Sequence, residues 1–168
     1  MEKLAVTYRN VDDLIPYARN ARTHSEEQVA RIAASIKEFG WTNPILTDGE
    51  AGVIAGHGRL AAARKLGMTE VPTIEISGLS EAQKRAYILA DNRLALDAGW
   101  DFDALRVELS DLSDLHFDLN LTGFMPQDVT DILDGAAPKT DDAPEDFDAV
   151  DEEELAHKCP RCGFEFDD

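Results

Sequence analysis

The amino-acid sequence predicts a mixed α+β domain, followed by a small helical region and an acidic tail. Short apolar runs bounded by Gly or Pro alternate with longer segments in which apolar residues recur at helical spacing. Capping-box patterns at residues 25–28 and 80–83 each mark the start of a helix. The predicted order over residues 1–95 is strand, helix, hairpin, helix, strand, helix, which is typical of a mixed α/β or α+β domain.

The first elements are a strand over residues 4–8, a turn and loop over residues 11–17, and a helix that Ser25 caps. Alternation in the strand places three apolar side chains on one face: Leu4, Val6 and Tyr8. Pro16 is unsuited to the interior of a helix, which favours the loop. The helix carries four apolar residues at helical spacing, Val29, Ile32, Ala33 and Ile36, and Gly40 ends it.

The next elements are two short strands over residues 44–47 and 53–55, joined by a tight turn over residues 48–52. An Ala-rich helix follows from Leu60 to Leu66, and Gly67 ends it. A strand over residues 71–76 and a helix from Ser80 to about Arg93 complete the predicted domain.

Charge separates this domain from the rest of the chain. Residues 1–93 hold 12 Lys/Arg and 12 Asp/Glu, whereas residues 94–168 hold 4 and 22, so the net charge of −18 arises in the second part. We expect a small helical region over residues 96–135, with helices that begin near Trp100 and at Pro126, and an acidic linker with a C-terminal His/Cys segment over residues 136–168. No convincing helix-turn-helix pattern follows residue 95, which argues against a free-standing centromere-binding protein.

The charge distribution limits the partners of the chain. A strongly acidic protein binds duplex DNA poorly, because neutralisation of phosphates drives non-specific binding. Contact with DNA therefore requires a local basic face of the first half or a partner that supplies it, and the acidic tail is a candidate site for a protein partner. The sequence has no apolar run long enough to span a membrane and no signal-peptide pattern at its start. With only two cysteines, we expect a reducing, cytoplasmic location.

The segment Gly56-His57-Gly58-Arg59 is the strongest candidate for a binding site. It lies where a strand ends and a helix begins, and the first-turn N–H groups of a helix favour an anion. The two glycines allow the backbone to approach a phosphate, and Arg59 can form paired hydrogen bonds to phosphate oxygens. The segment lacks the Gly-Lys-Ser/Thr of a Walker A loop. An ordinary strand-to-helix turn with a surface arginine fits the same residues.

Several segments in order resemble the N-terminal domain of ParB, within the ParB/sulfiredoxin superfamily. They cover about residues 5–95: Leu14-Ile15-Pro16, Asn20-Ala21-Arg22, Gly40-Trp41-Thr42-Asn43-Pro44-Ile45, Ile54-Ala55-Gly56-His57-Gly58-Arg59-Leu60, Leu66-Gly67, Val71-Pro72 and Asp91-Asn92-Arg93. The Gly-His-Gly-Arg variant is similar to ParB-like domains of phages and to those associated with adenine-type DNA methyltransferases.

The resemblance implies a site for a nucleoside triphosphate, CTP or ATP, with Mg²⁺. Gly56, His57, Gly58 and Arg59 correspond to the family's Gly-Glu-Arg-Arg motif, which holds the triphosphate. Gly40 and Asn43 correspond to its nucleoside-side Gly-x-x-Gln, and Asp91 and Asn92 to its metal-holding segment. His57 stands in place of the glutamate and Gly58 in place of the first arginine, so hydrolysis is in question. Sulfiredoxins carry a catalytic cysteine in the matching loop, and this chain has none there.

Each of these residues also has a structural interpretation. His57 is a candidate catalytic base or phosphate donor, or a loop histidine that bonds the backbone. Asp91 and Asn92 offer oxygen ligands for Mg²⁺, or end a helix. Three basic residues precede the first helix, Arg19, Arg22 and His24. They fit a phosphate-binding loop and a solvated surface loop equally well. Trp41 fits a core or rim aromatic better than a stacking partner for a base.

The C-terminal segment contains three candidate zinc ligands, His157, Cys159 and Cys162. A structural zinc site normally has four ligands, so a second subunit or a partner would have to complete it. A free pair of thiols in a tail is the alternative.

Three functions are consistent with the sequence. The first is a nucleotide-binding ParB-like module, a switch or weak NTPase, in a phage or mobile-element DNA process such as modification, packaging or partition. The second is a nuclease or a small-molecule kinase of the same fold. The third is an adaptor without catalysis that binds a DNA-modifying partner, and a homodimer is compatible with all three.

Overall fold

The computed structural model describes residues 4–96, 98–136, 157–158 and 165–166. The strands are β1 (Val6–Asn10), β2 (Ile45–Thr47), β3 (Val53–Ala55), β4 (Glu70–Glu75), β5 (His157–Lys158) and β6 (Glu165–Phe166). The helices are α1 (Glu26–Phe39), α2 (His57–Leu66), α3 (Glu81–Leu94), α4 (Phe102–Asp114) and α5 (Pro126–Leu133). The predicted order of elements and the mixed α/β fold class are confirmed. None of the helices in these ranges is both long and apolar enough to cross a membrane.

Four of the strands form one mixed sheet in the order β1-β4-β2-β3. β1 runs antiparallel to β4, with Val6 opposite Ile74 and Tyr8 opposite Pro72. β2 runs parallel to β4 and forms the predicted hairpin with β3. β1 is therefore an edge strand, and β2 and β3 lie where the candidate motif begins.

The hydrophobic core lies where α2 packs against the sheet and the turn after β1. Its buried members come from all of these elements: Val11, Leu14, Ile45, Val53, Leu60, Ala63 and Val71. Trp41 and Met68 pack against its margin. Because this core holds the start of α2 against the ends of β2 and β3, it fixes the position of the Gly-His-Gly-Arg segment.

The two predicted capping boxes differ in the structure. At Ser80 the box is complete, because the Ser80 hydroxyl accepts from the Gln83 N–H and the Gln83 side chain accepts from the Ser80 N–H. At Ser25 only the hydroxyl bond to the Gln28 N–H forms. The Gln28 side chain lies instead 3.0 Å from Nδ1 of His24. The second half of that predicted box is wrong, since the glutamine contributes to the neighbouring site.

The apolar face predicted for the first strand does not enter the core. The strand begins at Val6, and Leu4, Val6 and Tyr8 are 65, 55 and 68 % exposed. The other face of β1 turns toward polar partners, since Arg9 forms an ion pair of 2.7 Å with Glu75.

The helical region packs onto the outer side of α1. Phe117 stacks on Phe39 with ring centroids 6.2 Å apart, and Arg31 lies against the sulfur of Met125. α4 and α5 bury Leu109, Val129 and Ile132 between them. Trp100 contacts Phe124 at the start of this region, with centroids 5.1 Å apart.

Candidate anion-binding cleft

A cleft of about 530 Å³ opens between α1, the start of α2 and the end of α3. All eight residues predicted for a nucleotide site line it: Gly40, Asn43, Gly56, His57, Gly58, Arg59, Asp91 and Asn92. Arg22 and His24 from the loop before α1 also line it, as does Trp41. The fold thus brings three separate stretches of the sequence together at one place.

The helix N-terminus at the floor of the cleft has no side-chain cap. Gly56 occupies the N-cap position with φ 101° and ψ 25°, in the left-handed region that glycine tolerates. α2 begins at His57, three residues earlier than the sequence predicted, so His57, Gly58 and Arg59 form its first turn. Their N–H groups lack intrahelical partners, and this end of the helix dipole favours an anion.

Gly58 sets the distance between α1 and α2. A Cβ atom at this position would lie 2.9 Å from Cδ1 of Ile32 and 3.1 Å from Cε1 of His24. Gly58 is buried and its backbone is helical. Its absent side chain therefore leaves the space in which α1 and His24 approach the first turn of α2.

Arg59 is a half-buried cation with incomplete hydrogen bonding. Its Nη2 donates to the carbonyl oxygen of Pro44 at 3.3 Å, and its buried Nε has no partner. Burial lowers the pKa of Arg59, and the nearby charge of Asp91 opposes that effect. A buried N–H without an acceptor is unfavourable, so an anion in the cleft would satisfy the guanidinium.

His57 is held in its neutral form by the backbone. Its Nε2 accepts a hydrogen bond of 3.2 Å from the Tyr17 N–H, so this nitrogen carries no proton. Burial lowers the pKa of His57, and the charge of His24 lowers it further. This contact is the backbone-bonding alternative that the sequence left open, and it leaves Nδ1 as the donor of the ring.

The loop before α1 is tied to the end of α3. Arg22 Nη1 donates to the backbone oxygen and Oδ1 of Asn92 at 3.4 and 3.5 Å. Asn92 Nδ2 donates to the Ile88 oxygen at 2.8 Å. The amide of Asn92 thus has structural partners on both sides, whereas Asp91 is an exposed carboxylate at the rim.

Sequence reasoning missed the contribution of α1 to the cleft. Gln28, Ile32 and Ile36 lie along one face of that helix and line the cleft opposite α2. Their spacing of four residues was the available signal, but it equally predicts an ordinary core-facing stripe. Trp41 follows its predicted role as a rim aromatic, because it packs against the core and donates from Nε1 to the Asn43 oxygen at 3.0 Å.

Of the two metal sites predicted from the sequence, the structure describes the residues of the Mg²⁺ site but not the side chains of the zinc site. Across the described residues, no group of three or more His, Cys, Asp or Glu side chains is placed to hold a metal ion. Asp91 is the one carboxylate among the residues that line the cleft. One carboxylate with substrate phosphates and water is a common Mg²⁺ environment, so the residues present fit that ion. Cys159, Cys162 and the side chain of His157 lie outside the described residues.

The neutral state of His57 makes the stability of the fold depend on pH. Because its pKa is lower in the folded than in the unfolded chain, its contribution is complete above the unfolded value of about 6.5 and declines as pH falls. We expect the free energy of unfolding to decrease by about 1 kcal/mol between pH 7.5 and pH 5 through loss of one hydrogen bond. Urea unfolding at both pH values, compared with His57→Gln, measures this; an equal decrease in both proteins would contradict it.

Comparison with known proteins gives two family matches. The sequence model of the family described as ParB N-terminal domain matches residues 2–93. A second model, described as ParB-methyltransferase HTH domain, matches residues 103–161. The second match corrects the expectation that no helix-turn-helix segment follows residue 95. The pattern was missed because residues 98–136 contain one arginine and nine Asp/Glu, and because 11 residues, rather than a tight turn, separate α4 from α5.

Individual relatives agree with the first match. The chain is 57% identical over 84 residues to the ParB-like nuclease domain-containing protein YnaK of Escherichia coli K12, covering 50% of this chain and 97% of that protein. It is 34% identical over 87 residues to a nucleoid occlusion protein of Geobacillus thermodenitrificans, covering 49% and 31%. The fold is similar to that of ParB from Caulobacter crescentus, solved with CTP-γ-S, with TM-score 0.63, 20% identity and 77% of each chain covered.

Proposed function

Because this chain belongs to the ParB N-terminal domain family, we propose that its cleft binds a nucleoside triphosphate, CTP or ATP. The chain then acts as a nucleotide-dependent switch or weak NTPase in a DNA process of a phage or mobile element, such as modification, packaging or partition. The observation that carries the proposal is the buried, unpartnered Nε of Arg59 beside an uncapped helix N-terminus. Both features favour a multiply charged anion.

The residues around Arg59 suit the phosphates of such a ligand. Arg22 and His24 add positive charge or donors at the rim, and Nδ1 of His57 provides a further donor. Gly40, Trp41 and Asn43 line the other end of the cleft, where we place the nucleoside. The Caulobacter ParB of similar fold was solved with CTP-γ-S, so CTP is the first nucleotide to test.

Calorimetric titration with CTP, ATP, GTP and UTP tests the proposal, with and without Mg²⁺. We expect saturable binding of at least one triphosphate and weaker binding of the corresponding monophosphate, because each phosphate lost removes contacts to Arg59 and the helix N-terminus. If none of the four triphosphates binds to the intact chain, the proposal is refuted.

We propose that Asp91 holds Mg²⁺ on the bound phosphates. Replacing Asp91 with alanine should then weaken triphosphate binding in Mg²⁺ and leave it unchanged in EDTA, because the carboxylate contacts the ligand through the metal. Asp12→Ala, which removes an exposed carboxylate outside the cleft, is the matched control. An equal loss of affinity in Mg²⁺ and EDTA would show that Asp91 acts by supporting Arg59 instead.

A nuclease is the second candidate function, because the 57%-identical relative from Escherichia coli is named a ParB-like nuclease domain-containing protein. The cleft residues include a single carboxylate, which favours binding of a nucleotide over two-metal cleavage of a phosphodiester. Incubation with plasmid and single-stranded DNA in Mg²⁺ and Mn²⁺ separates the two, since only a nuclease would cleave the DNA. The chain spans about a third of the length of the nucleoid occlusion protein that it resembles. DNA binding and the binding of protein partners are therefore proposals for this chain.

A further inference from the structure

The imidazole of His24 has one nitrogen held by the protein and one that no described residue bonds. Its Nδ1 lies 3.0 Å from Oε1 of Gln28, and because an amide oxygen can only accept, Nδ1 carries the proton of the neutral ring. Nε2 of the neutral ring is then an acceptor, and within the described residues it has no hydrogen-bond partner. Since His24 is partly buried and lines the cleft, the ring brings an unused lone pair to a site that otherwise favours anions.

His24 lies against the first turn of α2. A Cβ atom at Gly58 would lie 3.1 Å from Cε1 and 3.2 Å from Nδ1 of His24, so the imidazole fills the space that a side chain at position 58 would take. The Gly58 N–H is one of the first-turn donors that favour an anion. We therefore expect an anion bound to this turn to lie next to the His24 ring.

The two histidines of the cleft are held in opposite tautomers. His57 accepts from the Tyr17 N–H at Nε2, so its Nδ1–H is already a donor in the neutral ring. His24 has its proton on Nδ1, where Gln28 accepts it, so the neutral ring has no donor left for a ligand. His57 can therefore donate to an anion without gaining a proton, whereas His24 has to gain one first.

We propose that His24 contacts the phosphates as an imidazolium, so that a triphosphate binds together with a proton taken from solvent; this rests on the proposed triphosphate site. An imidazole gains its second proton near neutral pH, and Nε2 can then donate a charge-assisted hydrogen bond to a phosphate oxygen. The neutral ring would turn its lone pair toward that oxygen, which is unfavourable. Bound triphosphate thus favours the protonated ring, and affinity decreases as pH rises.

The charged groups that line the cleft with His24 come from its own loop, α2 and α3. Without a ligand, Arg22 and Arg59 oppose a further positive charge and Asp91 favours it. A triphosphate reverses this balance, because it brings several negative charges to the same place. His57 stays neutral, since burial lowers its pKa and the charge of His24 lowers it further. The two glutamates at the start of α1 are exposed and outside the lining, to which α1 contributes only uncharged side chains: Gln28, Ile32, Ser35 and Ile36.

Calorimetry in buffers of different ionisation enthalpy measures the proton directly. The triphosphate that binds most tightly is titrated into the full chain at about pH 7.5 with Mg²⁺, and the slope of the observed enthalpy against the buffer enthalpy gives the protons taken up. We expect His24→Gln to take up about 0.3–0.8 fewer protons than the wild type. Between about pH 6.5 and pH 8, the Kd of the wild type should rise about three- to tenfold more than that of the variant. The comparison cancels the titration of the ligand.

His116→Asn is the matched control. His116 is exposed and outside the cleft, and asparagine tolerates its backbone φ of 58°. This variant should keep the proton uptake of the wild type. NMR of the His24 imidazole in the wild-type chain needs no variant, and inorganic triphosphate should move its titration midpoint to higher pH.

The outcomes separate this inference from the triphosphate site on which it rests. Equal proton uptake by the wild type and His24→Gln, or a His24 midpoint that bound triphosphate does not raise, overturns the role of His24 and leaves the site standing. Failure of all four nucleoside triphosphates to bind refutes the proposed function itself, and this inference with it.

Discussion

Replacement of Arg59 by alanine is expected to weaken triphosphate binding by about ten- to a hundredfold, or about 1.5–3 kcal/mol. Arg59 is the half-buried cation at the start of α2, with one bond to the Pro44 oxygen and a buried Nε that lacks an acceptor. The ligand supplies the missing acceptor, so the wild-type chain gains charge-assisted bonds that the variant cannot form. Calorimetry on the nucleotide that binds most tightly measures the difference.

Two control variants separate the contacts of the Arg59 guanidinium from a general effect of positive charge on affinity and from an effect on folding. Arg64→Ala removes the same charge from the same helix, but Arg64 bonds the Leu14 oxygen outside the cleft, so affinity should change little. Arg59→Lys keeps the charge and loses the planar pair of donors, so an intermediate affinity is expected. Equal affinities for the wild type and Arg59→Ala would place the phosphates elsewhere.

Restoring the arginine that the family motif has at position 58 is expected to destabilise the protein by about 1–3 kcal/mol or more. The reason is the space between α1 and α2, where even a Cβ atom would lie 2.9 Å from Ile32 and 3.1 Å from His24. The arginine side chain would also have to leave a buried position. Gly58→Arg should therefore lower the urea midpoint and weaken ligand binding, although it adds a positive charge to the motif.

A series of side chains at position 58 distinguishes packing from charge. Gly58→Ala gains helix propensity against a tight contact with the movable end of Ile32, so a small change is expected. Gly58→Val should cost more, and Gly58→Arg at least as much as Gly58→Val. A variant Gly58→Arg that is as stable as wild type and binds more tightly would show that α1 moves to accommodate the side chain.

The sequence predicted the fold and the floor of the cleft because both depend on local signals. Gly56 follows a strand and precedes an Ala-rich helix, so the backbone geometry at the motif follows from residue types in sequence. Ser80 and Gly40 likewise mark helix ends by their own chemistry. All eight residues predicted for the site line one cleft. They could be predicted because the motifs follow one another in the same order as in a known family.

The errors arose where the fold, rather than the local sequence pattern, decides a residue's partner or its exposure. Gln28 fits a capping box by spacing, yet its side chain bonds His24 because the cleft wall places the imidazole within reach. The sequence did not decide whether Arg22 is a solvated surface residue or part of the binding site, because its partner Asn92 lies 70 residues away. The strand with Leu4, Val6 and Tyr8 has a core-like alternation, and only the position of β1 at the edge of the sheet reveals that this face is exposed.

The position of the two tryptophans makes the chain suitable for fluorescence measurements. Trp41 lies in the cleft wall, and Trp100 contacts Phe124 in the helical region, so each indole samples a different part of the molecule. The chain contains no other tryptophan. In Trp100→Phe, emission comes from the cleft alone, and in Trp41→Phe it comes from the helical region alone. The pair of variants thus separates solvent exclusion at the cleft from rearrangement of the helices, without an attached dye.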